Sequence, residues 1–399
     1  MPKNIVFCAD GTWNGPNSGE DDDTPKTTNV WKLFLNLASD PHSGAVVYAT
    51  EQESSLTADG TCLQVAKYLH GVGDSDNAII KMLGGVFGWG LIARIVRGYT
   101  FISRNYEEGD RIFIIGFSRG SYTARALGGL IVDQGLLNAK TLDLADPIVG
   151  YRNGVAAWRA HRSNRVTAIS KTWNTSIVSL FRDVTSFLTL NPPIDPKDLV
   201  PNVKIQAIGV WDTVGAMGIP LYVESNDARV DVFRFADTSL SPAVQYGFHA
   251  ISLDEERGDF TPTLWDERAN VTQVLFPGAH SDVGGGYPST DNESGLSDCA
   301  LAWMTSSLAE IDNGIIFQNP YLPMSPSALG VAHRPWASGV FVDLPHGPRD
   351  FSKFLPLCAY HSIRDRLAGT SVLGDPAGTP GPYVPSTLAN YFPTVKTWI

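Results

Sequence analysis

The chain has 399 residues, 43% of them hydrophobic and 18% charged, with a formal net charge of −11 at pH 7. That apolar fraction supports a sizeable core, and the acidic balance excludes docking on nucleic acid or anionic lipid through a basic face. Four widely spaced cysteines (Cys8, Cys62, Cys299, Cys358) form no C-x-x-C pair and no metal spacing, so they read as buried thiols.

In chain order, residues 4–9 predict a short buried strand, with no basic and long apolar leader before it. Asp10-Gly11-Thr12 follows as a turn at the carboxyl end of that strand. There the N–H of Gly11 or Thr12 is placed to donate to a substrate oxygen, with Asp10 bracing the loop by accepting backbone hydrogen bonds. Residues 15–28 read as a solvated loop, and its acidic run at 20–23 lacks the alternation a calcium loop needs. A helix over 29–37 and a strand over 45–48 come next. The longest apolar stretch, 78–96, is broken by Lys81, Arg94 and four glycines, so no transmembrane segment is expected. A second helix over 91–106 leads into residues 112–115, four apolar, β-favouring residues in a row.

That run ends in Gly116-x-Ser118-x-Gly120 and opens a helical stretch from Tyr122. A serine on a sharp strand-to-helix turn stands clear of the sheet edge, and small residues two before and two after it let the strained backbone pass. The helix aims its first N–H groups, including that of Arg119, at developing negative charge. Ser118 therefore reads as a nucleophile, the bland alternative being an ordinary Gly-flanked turn.

A long insertion, 136–201, is expected to be a helical cap over the active site. Its Trp158, Trp173, Phe181, Phe187 and Leu188 either line an acyl pocket or pack on each other. A strand over 203–211 ends in Asp212. His249 falls in a predicted helix and Asp254 in a helical ion-pair setting, which makes Asp254 a reserve acid. A strand over 271–276 leads to His280, with Asp282 assigned to ordering the loop at Gly284-Gly285-Gly286. From residue 317 a Pro-rich extension is expected to meander over the body, with a helix over 360–367 and His361 as the one rival histidine. In an open parallel sheet the carboxyl ends of the strands face one crevice, so Ser118, Asp212 and His280 can converge there. Two other readings stand beside this one. Asp10, Asp212, His280 and Asp282 could form a metal-dependent hydrolase site, and a hydrolase scaffold could serve as a non-catalytic interaction protein.

The segments Asp10-Gly-Thr-Trp-Asn14, Gly116-Phe-Ser-Arg-Gly-Ser-Tyr-Thr-Ala-Arg-Ala-Leu127, Val210-Trp-Asp-Thr-Val-Gly215, His249-Ala-Ile-Ser-Leu-Asp-Glu-Glu-Arg257 and His280-Ser-Asp-Val-Gly-Gly-Gly-Tyr287 resemble one family. It is an α/β-hydrolase family, long known as a domain of unknown function, that includes the first class of type VI secretion lipase effectors. The resemblance implies an esterase or phospholipase A type serine hydrolase with Ser118, Asp212 and His280 as its triad. The effector members carry large additional membrane-anchoring regions that these 399 residues do not include.

The expectation is one α/β-hydrolase-like domain over 1–399, with a mostly parallel sheet and helices on both faces, the cap at 136–201 and the extension at 317–399. It needs no cofactor and no metal, and acts on a small-molecule or lipid ester. Its location is cytoplasmic, or outside the cell by a route that uses no cleaved signal. Acyl chain length, lipid against soluble ester, and oligomeric state stay open.

Overall fold

The computed structural model describes residues 1–11, 27–40, 45–48, 51–71, 87–170, 193–214, 239–337, 342, 345–352, 357–376, 378–391 and 395–399. Its centre is a ten-stranded sheet. In chain order the strands are β1 (Asn4–Ala9), β2 (Ala45–Tyr48), β3 (Glu51–Ala58), β4 (Thr61–Leu69) and β5 (Arg111–Phe117). A two-residue pair, β6 (Leu136–Leu137) and β7 (Leu199–Val200), stands apart as its own antiparallel ribbon. The main sheet continues with β8 (Ile205–Trp211), β9 (Val244–Ser252), β10 (Val271–Phe276), β11 (Leu357–Ala359) and β12 (Val395–Trp398). Across the sheet the order is β12-β11-β10-β9-β8-β5-β1-β4-β3-β2, parallel from β12 to β4, with β3 and β2 antiparallel at one edge.

The central strands read as unbroken apolar runs because both faces are covered. Ile5, Phe7, Ile112 and Ile114 point into one core, against helices α2 (Phe87–Asn105), α3 (Arg119–Gln134) and α4 (Pro147–Ser170). Val6, Cys8, Phe113, Ile115 and Phe117 point into the other, against α1 (Asn29–Asn36) and, beyond the five-residue α5 (His280–Gly284), α6 (Gly295–Glu310). The period of two in the strands thus assigns alternate residues to the two helix layers. The chain reaches β4 on one side of β1 and returns to β5 on the other, so the strand order reverses at β1 and opens a crevice at the carboxyl ends of β1 and β5. Gly11, Ser118, Asp212 and His280 all follow strands at that edge.

The fold departs from the sequence expectations in four places. His249 lies on β9, not in a helix: β9 is paired with β8 and β10 and buried along most of its length, and a buried strand cannot be told from a buried helix by periodicity alone. Residues 254–257 are not helical either, and the ion pair there joins Glu255 to Arg257 at 2.8 Å and leaves Asp254 out. In the insertion, Trp158 packs in the core beside α2 and α3, while Trp173, Phe181, Phe187 and Leu188 lie outside the described residues. The segment from 317 does more than cover the body. It supplies β11 and β12 to the sheet, together with α7 (His361–Ala368) and α8 (Ser386–Tyr391). No described helix is long and apolar enough to cross a membrane.

Candidate active site

Ser118 stands between β5 and α3 with φ 56° and ψ −121°, a conformation that an L-residue adopts only under constraint from its surroundings. The constraint is visible on each side. A Cβ on Gly116 would lie 2.4 Å from the Gly120 carbonyl oxygen, and one on Gly120 would lie 2.0 Å from that of Ala9. Ser118 N–H donates to Trp211 O at 3.1 Å, and Ser121 Oγ donates to Gly116 O at 2.9 Å and Trp211 O at 2.8 Å. These bonds tie the turn to the end of β8. The serine is buried with 8% of its surface exposed.

His280 Nδ1 donates to Asp212 Oδ2 at 2.6 Å. With the proton on Nδ1, the lone pair of the neutral ring sits on Nε2, which is buried and makes no hydrogen bond among the described residues. The ring packs 4.7 Å from that of Phe117, the residue before the serine, and 5.0 Å edge-on to Phe260. Burial lowers the His280 pKa, against the pull of its bond to Asp212, so the ring is a neutral base at pH 7. Its backbone N–H donates to Glu255 Oε2 at 3.1 Å.

Asp212 is fully buried at the end of β8. Its Oδ1 accepts from Ser252 N–H at 2.9 Å and Arg349 Nη1 at 2.7 Å, and its Oδ2 accepts from Arg349 Nη2 at 2.9 Å. Burial alone would raise its pKa. The charge of Arg349 and the bonds to His280 and Arg349 outweigh that and hold the carboxylate well below its usual range. His249 sits beneath this turn and accepts the Thr213 N–H at 3.1 Å on Nε2. Burial, reinforced by nearby Arg125, lowers its pKa to about 3, so it is neutral.

The first turn is held by Asp10, through two side-chain hydroxyls and one backbone N–H. Asp10 Oδ2 accepts from Thr28 Oγ1 and Tyr68 Oη, each at 2.6 Å, and Asp10 O accepts from Arg94 Nη2 at 2.5 Å. Burial raises the Asp10 pKa to about 6 against those bonds. Gly11 lies beside Ser118: a Cβ there would be 3.3 Å from Ser118 Cβ. Its N–H, however, donates to Asp10 Oδ1 at 2.7 Å and is not presented to a substrate oxygen. That corrects the expectation for Gly11, because a backbone donor held by its own neighbour's carboxylate is already satisfied. Thr12 lies outside the described residues.

The four residues of the metal reading do not converge. Asp10 is held by Thr28, Tyr68 and Gly11, and Asp212 by Arg349 and His280. Asp282 accepts Ala279 N–H at 2.8 Å and is paired with His333 at 2.6 Å. Among the described residues no group of three or more His, Cys, Asp or Glu forms a metal-holding cluster. Asp282 therefore caps the turn that starts at His280 and ties it to His333. The reserve acid Asp254 accepts from Gly278 N–H and Tyr383 Oη, and His361 is exposed, with its ring near the Ile399 carbonyl. Neither is bonded to Ser118 or His280 among the described residues. The residues that sequence reasoning missed are Arg349, Glu255, Phe260 and Tyr68. Arg349 sits in a Pro-rich stretch with no periodic signal.

A family model described as "T6SS, Phospholipase effector Tle1-like, catalytic domain" matches residues 3–307. The chain belongs to this family. Ser118, Asp212 and His280 lie inside the matched span, and Arg349 and His333 lie beyond it. The chain is also similar to "Uncharacterized protein YEL023C" of Saccharomyces cerevisiae, 26% identical over 262 residues, which is 65% of this chain and 32% of the yeast protein. Among solved structures it is similar to an uncharacterized protein from Pseudomonas aeruginosa (17% identity, TM-score 0.41, 80% of this chain and 47% of that one). Another is the Tle1 effector bound to the VgrG spike from the Type 6 secretion system (18% identity, TM-score 0.35, 72% of this chain and 51% of that one). The chain thus spans 32% of the yeast protein's length and 47% and 51% of the two solved chains.

Proposed function

We propose that the chain is a serine hydrolase that cleaves carboxylic esters, of the esterase or phospholipase A type; its family's description names a phospholipase effector. What carries the reading is the buried Nε2 of His280, without a hydrogen-bond partner among the described residues, on a ring whose other nitrogen is fixed by Asp212. In the proposed cycle Ser118 Oγ attacks the acyl carbonyl while Nε2 takes its proton, and Asp212 fixes the tautomer and stabilises the cation. The imidazolium then protonates the departing alcohol as the C–O bond breaks. Water, deprotonated by the same nitrogen, releases the acid from the acyl-enzyme. The N–H groups of Arg119 and Thr12 are the proposed oxyanion donors, the Gly11 N–H being held by Asp10. The segment 136–201 is proposed as a cap, and the location as cytoplasmic or exported by a route that uses no cleaved signal.

The test is hydrolysis of p-nitrophenyl esters of graded chain length, and of phospholipid in mixed micelles, by wild type and Ser118→Ala. Turnover lost in the variant on every substrate supports the reading. Turnover retained in the folded variant refutes it.

A further inference from the structure

Arg349 is a cationic partner of the proposed catalytic acid, and it comes from outside the span that matches the family model. Its guanidinium makes a fork-to-fork pair with Asp212, Nη1 to Oδ1 at 2.7 Å and Nη2 to Oδ2 at 2.9 Å. The same two nitrogens donate to Ser252 O at 2.7 Å and Phe260 O at 2.6 Å. One side chain thus joins the end of β9, the segment that carries Phe260 against His280, and the acid itself. A planar fork matches a carboxylate in one orientation only, so it fixes the rotation of Asp212 as well as its charge. That rotation sets the direction of the bond from His280 Nδ1.

The same stretch of chain reaches the histidine's own turn. His333 donates its backbone N–H to Asp282 Oδ2 at 3.0 Å and pairs Nδ1 with Asp282 Oδ1 at 2.6 Å. Its ring is stacked on Tyr287 with centroids 3.3 Å apart. Asp282 in turn accepts the Ala279 N–H just before His280. The chain after residue 307 therefore holds both the acid and the turn that carries the base.

We propose that Arg349 is a positioning residue for the Asp212–His280 pair, and that the chain beyond the family match is part of the catalytic unit. This rests on the reading of Ser118, Asp212 and His280 given above. The other charged groups around the pair are Glu255 and Arg257 on the His280 side, with neutral His249 beneath the acid turn. None of them makes a forked pair with Asp212 among the described residues.

The experiment compares Arg349→Ala and Arg349→Lys in the full chain, each checked by circular dichroism, with Ser118→Ala as control. Arg349→Ala lowers kcat about 10–100-fold with KM nearly unchanged, the same scale as losing an outer partner that orients a metal-ligating side chain. Loss of the cation raises the proton affinity of the pair, so the acid limb of kcat/KM moves to higher pH. Added guanidinium restores part of the lost kcat. Arg349→Lys keeps the acid limb near that of wild type but not the full kcat. Wild-type kcat and an unmoved acid limb in folded Arg349→Ala overturn the proposal. If that variant does not fold, wild-type kcat in Arg349→Lys overturns it instead. Activity surviving in Ser118→Ala refutes the serine reading and is thereby distinguished from failure of the Arg349 role.

Discussion

Replacing Asp212 by asparagine tests the geometry most severely, because both carboxylate oxygens receive only donors. Oδ1 takes Ser252 N–H and Arg349 Nη1, and Oδ2 takes His280 Nδ1 and Arg349 Nη2. An amide placed either way sets its NH₂ against two donors. The less costly placement keeps the oxygen on Ser252 and Arg349 and turns the NH₂ toward His280. The imidazole must then accept at Nδ1 and carry its proton on Nε2, the nitrogen that takes the proton from Ser118 in the proposed cycle. A wrong tautomer of this kind lowers kcat by roughly 10⁴ in serine hydrolases, or about 5.5 kcal/mol of barrier. The buried Arg349 also loses its counter-charge, and removing one member of a buried pair costs about 3–5 kcal/mol of stability. The assay is kcat on a p-nitrophenyl ester at 20 °C, paired with a urea melt. Asp212→Asn retaining kcat within tenfold of wild type refutes the assignment and moves the acid role elsewhere.

Four further outcomes follow. Gly120→Ala places a Cβ 2.0 Å from the Ala9 oxygen, so it abolishes activity and lowers the melting temperature, as calorimetry on the purified variant checks. Because burial lowers the His280 pKa, the acid limb of kcat/KM falls below the ordinary 6.5, as a pH–rate profile tests. His249 acts on stability instead. With a folded pKa of about 3 and an ordinary value of 6.5, the unfolded chain binds the proton first as pH drops. Its contribution is complete above pH 6.5 and lost on descent toward 3, so His249→Gln flattens the fall in urea midpoint between pH 7 and 4.5. Added chelator leaves the hydrolysis rate unchanged, and a loss reversed by magnesium would return the metal reading to consideration.

The part of the site written in local pattern was legible from the sequence. Four β-favouring residues before Gly116-x-Ser118-x-Gly120 announce a buried strand and a strained turn. Asp212 and His280 stand directly after apolar runs that became β8 and β10. His249 was misread because Val244–Ser252 is buried along most of its length and mixes Gln245, Gly247 and His249 with apolar residues, so its sequence shows no clean period of two. Tyr68, a partner of Asp10, belongs to a hairpin that did leave a signal: Asp59-Gly60, with φ 50° and 74°, is the dipeptide that favours a tight turn with both residues at positive φ. Arg349 left none. A lone arginine after Pro348 in an aperiodic stretch has no local reason to meet Asp212, 137 residues earlier, and only the folding of the tail onto the sheet edge brings it there.

The proposed chemistry depends on activation of Ser118 by His280. It is tested most directly by labelling with a fluorophosphonate probe, which reacts with a serine whose proton has somewhere to go. Wild type is expected to label at Ser118, with labelling absent in Ser118→Ala and lost or greatly slowed in His280→Ala. Labelling of His280→Ala at the wild-type rate would contradict the account.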